Sequence, residues 1–247
     1  MITPETFSVS VVIPAYNEEE NIEEVVEKLF SFLPKISYSF EVIVVNDGSS
    51  DRTGEILGQL KKELGKLKVI THARNYGYGA ALLSGFAGAC HEWVFFMDGD
   101  GQFDIRDLTL FLPYIDKYQI IVGYRKKRMD KWYRIVYARI FSFFCYHLFG
   151  IKVRDINCAF KLIQKELLEQ LCLESRGATI NAEMLAKVKI MGIAVKEIGV
   201  GHFPRKKGKE TGGNLMVVIK ALLYLVILYS KITVFARVKH DKYLERQ

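Results

Sequence analysis

Asp98, Asp100, Gln102 and Asp104 stand on alternate positions of "MDGDGQFD" (97–104), directly after the apolar run "WVFF". Aspartates so spaced at the end of a buried strand can turn toward one point, and Gly99 and Gly101 permit the tight turn this needs. Oxygen-only ligands suit a hard divalent cation, and Mg²⁺ typically takes one or two protein carboxylates and fills its shell with substrate phosphate and water. The stretch therefore implies a phosphorylated ligand, against the plainer alternative of a solvated acidic turn.

Three other polar stretches share the same setting: "PAYNEEEN" (14–21), "NDGSSDRTG" (46–54) and "ARNYGYG" (73–79). Asp47 closes an apolar run, Gly48 turns the chain, and Ser49, Ser50 or Asp51 can cap a following helix. Tyr16 offers a flat surface for a base, Asn17 is a candidate cap, and Glu18–Glu20 suit the first turn of a helix. Gly77 and Gly79 allow either close backbone packing or a helix start. Positive charge gathers elsewhere, with six basic residues and one acid in "RKKRMDKWYR" (125–134), in a chain of formal net charge +7. That asymmetry points to an anionic partner.

The elements that must carry these residues are set by periodicity. Short β-branched runs at 9–13, 40–45, 67–71, 92–97 and 119–123 alternate with helix-like stretches beginning near Glu18, Asp51, Gly77 and Asp107. Such alternation predicts an α/β fold, a mostly parallel sheet covered by helices on both faces. Ligands of such sheets sit beyond the strand C-terminal ends, where all four polar stretches fall. After Gly123 the pattern predicts a long aromatic helix over 131–149, a strand over 158–163, helices near 164–172 and 181–191, and a strand near 194–199. The run 215–236 has about the length to span a bilayer. Lys220 and Lys231 leave only ten uncharged residues between them, so it is expected to lie on a membrane or in the core. Cys90, Cys145, Cys158 and Cys172 have no metal-type spacing and read as reduced, packed thiols. No cationic, apolar leader is visible at the N-terminus, so secretion is not expected. The acidic sites and the very apolar helix beside the basic run exclude a nucleic-acid binder.

In order and spacing, "VVIPAYNE", "VVNDGSSD", "RNYGYGAA" and "MDGDGQ" resemble the donor-binding half of inverting family 2 glycosyltransferases with the GT-A (Rossmann-like) fold. With "RDINCAFKL" and "HFPRKKG" the resemblance covers roughly residues 8–210 and is to dolichol-phosphate mannose synthases and related polyprenyl-phosphate glycosyltransferases. It implies a glycosyltransferase domain over 1–210, with a donor half at 8–123 and an acceptor half at 124–210, followed by an amphipathic, membrane-associated helix and basic tail over 211–247. It further implies that Pro14, Tyr16, Glu18 and Asp47 hold the nucleoside, that Arg74 lies in the donor site, and that Asp98, Asp100 and Gln102 hold Mg²⁺ or Mn²⁺ and the sugar diphosphate. Arg125 matches the arginine of a family G-S-R motif, although Tyr124 replaces the serine. Arg139 lies one helical turn before Ser142, so both can face the acceptor phosphate. Asp155 would orient a sugar hydroxyl or an acceptor-site arginine, or serve as a turn acid, and Ala159 departs from the family glycine. Arg205 would contact the leaving diphosphate, while His202 reads as structural.

The implied reaction is hexose transfer from a nucleotide sugar to a polyprenyl or dolichyl phosphate, at the cytoplasmic face of an anionic membrane, with a membrane-protein subunit as a possible partner. A phosphate acceptor is already ionised and needs cations more than it needs a base. The alternatives are a family 2 enzyme with another acceptor or a non-catalytic nucleotide-sugar binder. A processive polysaccharide synthase would carry Q-x-x-R-W, which this sequence lacks.

Overall fold

The computed structural model describes residues 7–127, 132–205, 207 and 215–244. Arg128, Lys131 and the glycine-rich run 208–213 lie outside them, as do the side chains of Trp132, Arg134 and Lys220. Seven strands form one sheet in the order β3-β2-β1-β4-β6-β5-β7, with β1 Ser8–Ala15, β2 Ser39–Asn46, β3 Leu67–Thr71, β4 Trp93–Met97, β5 Ile120–Arg125, β6 Phe160–Gln164 and β7 Val195–Val200. All pairings are parallel except those of β6 with β4 and β5.

Every residue of β1 is buried, as a central strand covered on both faces requires. Alternate residues feed two cores: Val11, Val44 and Phe95 pack on one side of the sheet, Val12, Val45 and Phe96 on the other. Helix α1 (Ile22–Phe32) buries Ile22, Val25, Val26 and Leu29, the spacing of one helical face. Beyond α2 (Thr53–Glu63), α3 (Tyr78–Gly88) approaches the sheet so closely that a Cβ at Gly85 would stand 2.3 Å from a Val12 methyl.

Two expectations need correction. The helix expected near Asp107 is a pair of 3₁₀ turns, Ile105–Leu110 and Leu112–Tyr114; Asp104 caps the first by accepting from the Arg106 N–H, and Pro113 sits in the second. Asn17 does not cap α1, which starts at Ile22; it adopts φ 55° and joins two loops instead.

Antiparallel β6 brings a further loop to the strand ends that carry the acidic residues. Its first residue, Phe160, pairs with Met97 at the end of β4, so the loop before β6 arrives at the same sheet edge as the aspartate loop. Arg125, at the end of β5, pairs with Val200, which brings the 201–205 segment to that edge too. Helices α4 (Trp132–Phe149), α5 (Lys165–Gln170) and α6 (Ile180–Ile190) complete the second half, and α7 (Leu215–Leu244) packs on α4 and α6, burying Leu225, Leu228 and Ile232.

Candidate active site

The first two strand ends are laced together. The Asn17, Glu18 and Glu19 N–H groups donate to Ser49 Oγ (3.0 Å), Thr53 Oγ1 (2.9 Å) and Asp51 Oδ2 (3.1 Å), and Ser50 N–H donates back to Asn17 Oδ1 (2.8 Å). Asp47 is buried and organises the third loop. Its Oδ1 accepts from Tyr76 N–H (2.9 Å) and lies 2.6 Å from His72 Nδ1; its Oδ2 accepts from Gly77 N–H (2.8 Å). His72 Nε2 lies 2.8 Å from Ser84 Oγ. Gly48 is required here, because at φ +68° its Cβ would fall 2.3 Å from the Arg74 carbonyl carbon. Pro14 is buried at the end of β1, while Tyr16 is exposed and Arg74 lies over the Tyr76 ring at 5.3 Å.

The aspartate loop lies under the 201–205 segment. Gln102 Nε2 donates to the Phe203 carbonyl (3.0 Å), Phe203 N–H donates to the Gln102 carbonyl (2.9 Å), and Gly201 N–H donates to Asp107 Oδ2 (2.6 Å). Gln102 N–H also donates to Asp100 Oδ1 (3.0 Å). The segment thereby delivers Arg205, whose Nη2 donates to Glu18 Oε2 (2.6 Å) and whose Nη1 stands 3.8 Å from Asp100 Oδ2. Burial pushes the Glu18 carboxyl up against the hydrogen bonds from Asn21 and Arg205. Burial, and then the Asp100 carboxylate, push Asp98 up to about 7, against Arg125, Tyr78 and Lys161. The Tyr78 hydroxyl is buried beside Asp98 and Asn181 without a hydrogen bond of ordinary geometry. His202 packs edge-on against Phe103 at 5.4 Å.

On the other side, Arg125 makes a two-pronged pair with Asp155, Nε to Oδ2 at 2.7 Å and Nη2 to Oδ1 at 2.9 Å, both side chains largely buried. Asp155 thus orients an arginine. Arg139 is exposed on α4 and Ser142 half-buried; among the described residues no hydrogen bond or ion pair ties either to this cluster. Motif and spacing do not single out Asn181 or His72, which the fold brings to the site, and Lys161 lies in the matched stretch "RDINCAFKL" without a role assigned to it. Lys161 also stands out in the sequence as a lone cation inside an apolar strand.

A buried carboxyl raised by a neighbouring carboxylate suits a divalent cation, and Asp98, Asp100 and the Gln102 side-chain oxygen would offer it hard oxygen ligands. Among the described residues, one group of three His, Cys, Asp or Glu side chains lies within metal-ligand distance, and it is elsewhere. Glu41, Cys90 and His91 have ligand atoms within 4.8 Å of one another, at the opposite ends of the parallel strands. Glu41 there already pairs with Lys68 at 2.5 Å, and Cys90 and Cys172 are exposed rather than packed.

A seven-stranded, mostly parallel sheet whose strand ends gather an Asp-x-Asp-x-Gln loop defines a GT-A fold. The chain belongs to glycosyl transferase family 2, whose pattern its residues 10–172 match. It is 29% identical over 223 residues to the undecaprenyl-phosphate 4-deoxy-4-formamido-L-arabinose transferase of Aeromonas hydrophila, a match that covers 88% of this chain and 66% of the relative. It is 26% identical to the dodecaprenyl-phosphate galacturonate synthase of Rhizobium johnstonii (85% and 63% covered) and 25% identical to a dolichyl-phosphate beta-glucosyltransferase of Trichomonas vaginalis (99% and 78%). The chain thus spans just under two thirds of the length of the two bacterial relatives. Among solved structures, glucosyl-3-phosphoglycerate synthase of Mycobacterium tuberculosis shares the fold. Its complex with Mn²⁺ and UDP-glucose superposes with a TM-score of 0.70 at 19% identity, covering 90% of this chain and 79% of that one. The same enzyme is also seen with Mg²⁺ and UDP.

Proposed function

We propose that this chain transfers a hexose from a nucleotide diphosphate sugar to a polyprenyl or dolichyl phosphate with inversion, at the cytoplasmic surface of a membrane. The observation that carries the acceptor class is the state of the site's carboxylates. Glu18 pairs with Arg205 and Asp155 with Arg125; Asp47 binds two backbone N–H groups. Asp98 and Asp100 face the cation. With Asp98 and Asp100 taken up by the cation, this supports an acceptor that arrives ionised, since the remaining carboxylates are engaged by guanidinium or backbone N–H groups rather than left to take a proton from a hydroxyl.

Tyr16 and the laced loops beside Asp47 receive the nucleoside, and Asp47 acts there by holding the Tyr76–Gly77 backbone. Asp98, Asp100 and Gln102 hold Mg²⁺ or Mn²⁺, which neutralises charge on the leaving diphosphate. Arg205 exchanges Glu18 for that diphosphate, and Arg125, steadied by Asp155, holds the acceptor phosphate opposite the leaving group for an oxocarbenium-like displacement. Arg139 and Ser142 sit farther along the acceptor's path on α4.

Relatives named for undecaprenyl, dodecaprenyl and dolichyl phosphate support a lipid acceptor. Among the described residues no helix is long and apolar enough to cross a membrane. The exposed apolar residues Phe143 and Tyr146 on α4 and Leu223, Val226 and Ile227 on α7 fit a peripheral, shallow attachment. Lys231, one of the two lysines that interrupt the 215–236 run, pairs with Glu174 at 2.6 Å. The test is incubation with radiolabelled nucleotide sugars, Mn²⁺ and undecaprenyl or dolichyl phosphate. Label in an acid-labile lipid fraction supports the reading, and none from any common donor refutes it.

A further inference from the structure

Lys161 lies in the middle of the sheet with no exposed surface, paired across to Phe96 on β4 and to Val122 on β5. It therefore stands two residues before Asp98 on one side and three before Arg125 on the other. Its ammonium has three N–H donors and meets three oxygens: the Ile156 carbonyl at 3.1 Å, the Cys158 carbonyl, and Asn181 Oδ1 at 2.9 Å. All three acceptors are neutral. Asp155 and Asp98 act on it electrostatically, but none of its three hydrogen bonds goes to a carboxylate. Burying a cation on neutral acceptors is costly, and an apolar side chain of the same length would fill the space without that cost. The arrangement consequently calls for a role beyond packing.

The geometry supplies one. The Ile156 and Cys158 carbonyls belong to the loop that carries Asp155, and Asn181 belongs to the first turn of α6. The ammonium thus ties that loop inward to α6, and the tied loop turns Asp155 toward Arg125, 2.7 Å away. We propose that Lys161 is a positioning residue for the acceptor phosphate: by gathering the 156 and 158 carbonyls it fixes Asp155 and, through it, the Arg125 guanidinium. This role rests on Arg125 binding the acceptor phosphate in the proposed reaction.

The probe is farnesyl phosphate, a short polyprenyl phosphate, titrated calorimetrically into the full chain saturated with UDP and Mn²⁺; UDP–Mn²⁺ affinity is measured separately. Lys161→Met is expected to raise the farnesyl phosphate Kd at least tenfold, and by at least three times the factor by which it raises the UDP–Mn²⁺ Kd through the cation lost near Asp98; Asp155→Asn is expected to weaken farnesyl phosphate in the same way. Equal effects on both ligands, or none on either, would overturn the positioning role. If the unaltered protein binds UDP–Mn²⁺ but not farnesyl phosphate, the acceptor reading itself falls. Should Lys161→Met fail to fold by circular dichroism, Asn181→Ala removes one of the three bonds and is expected to weaken farnesyl phosphate alone, about threefold; an unchanged Kd there would equally overturn the proposal.

Discussion

The Arg205 guanidinium lies between Glu18 and Asp100, where charge must rearrange when a donor arrives. Arg205→Ala and Asp100→Ala should each lower turnover by about a thousandfold or more if charge stabilisation drives the reaction, as measured by initial rates at saturating donor. Asp98 gives a pH signature. Its carboxyl is raised to about 7, so the proton is held below that pH and must leave before a cation binds. Mn²⁺ affinity of the free protein should therefore fall by about tenfold per unit as pH drops below 7 and level off above it, as read by calorimetry. Acidic residues of this kind are legible in the sequence because strand-end spacing and residue type suffice to mark them. Lys161 and Asn181 are not, because their meaning depends on which carbonyls the 155–158 loop turns inward.

At the scale of elements, glycine positions separate strain from freedom. Gly48→Ala places a Cβ against the Arg74 backbone in a left-handed conformation, and should cost more than about 2 kcal/mol and weaken donor binding. Gly58, exposed in α2 with nothing within 4 Å of an added Cβ, should gain about 0.5–1 kcal/mol on substitution by alanine. Chemical denaturation of the two variants checks both. The opposite sheet edge contributes acid sensitivity. Burial raises the Glu41 carboxyl, but hydrogen bonds from Lys68, Ser10 and Cys90 overcome this and hold it down at about 2 against an ordinary 4.5. Its stabilisation is complete above 4.5 and is lost as pH falls toward 2, so Glu41→Gln should flatten the melting-temperature profile across that window. The β/α alternation and the strand ends can be read directly from apolar runs. The antiparallel insertion of β6 cannot, since a five-residue apolar strand does not declare its direction, and the 3₁₀ turns after Asp104 carry the same apolar spacing as a helix.

For the whole molecule, the basic run of the second half and the exposed apolar residues on α4 and α7 suit an anionic membrane surface. Cosedimentation with vesicles rich in phosphatidylserine should exceed that with phosphatidylcholine alone and decline with salt, since each lysine near an anionic surface contributes about 1 kcal/mol. The central claim concerns the aspartate loop: a divalent cation held there joins protein to leaving group. Anomalous diffraction from crystals grown with Mn²⁺ and UDP tests it most directly. The expected result is a single strong Mn peak in ligating contact with Asp98 or Asp100 and with the diphosphate. A peak confined to Glu41, Cys90 and His91, or UDP bound with the aspartate loop free of metal, would contradict it.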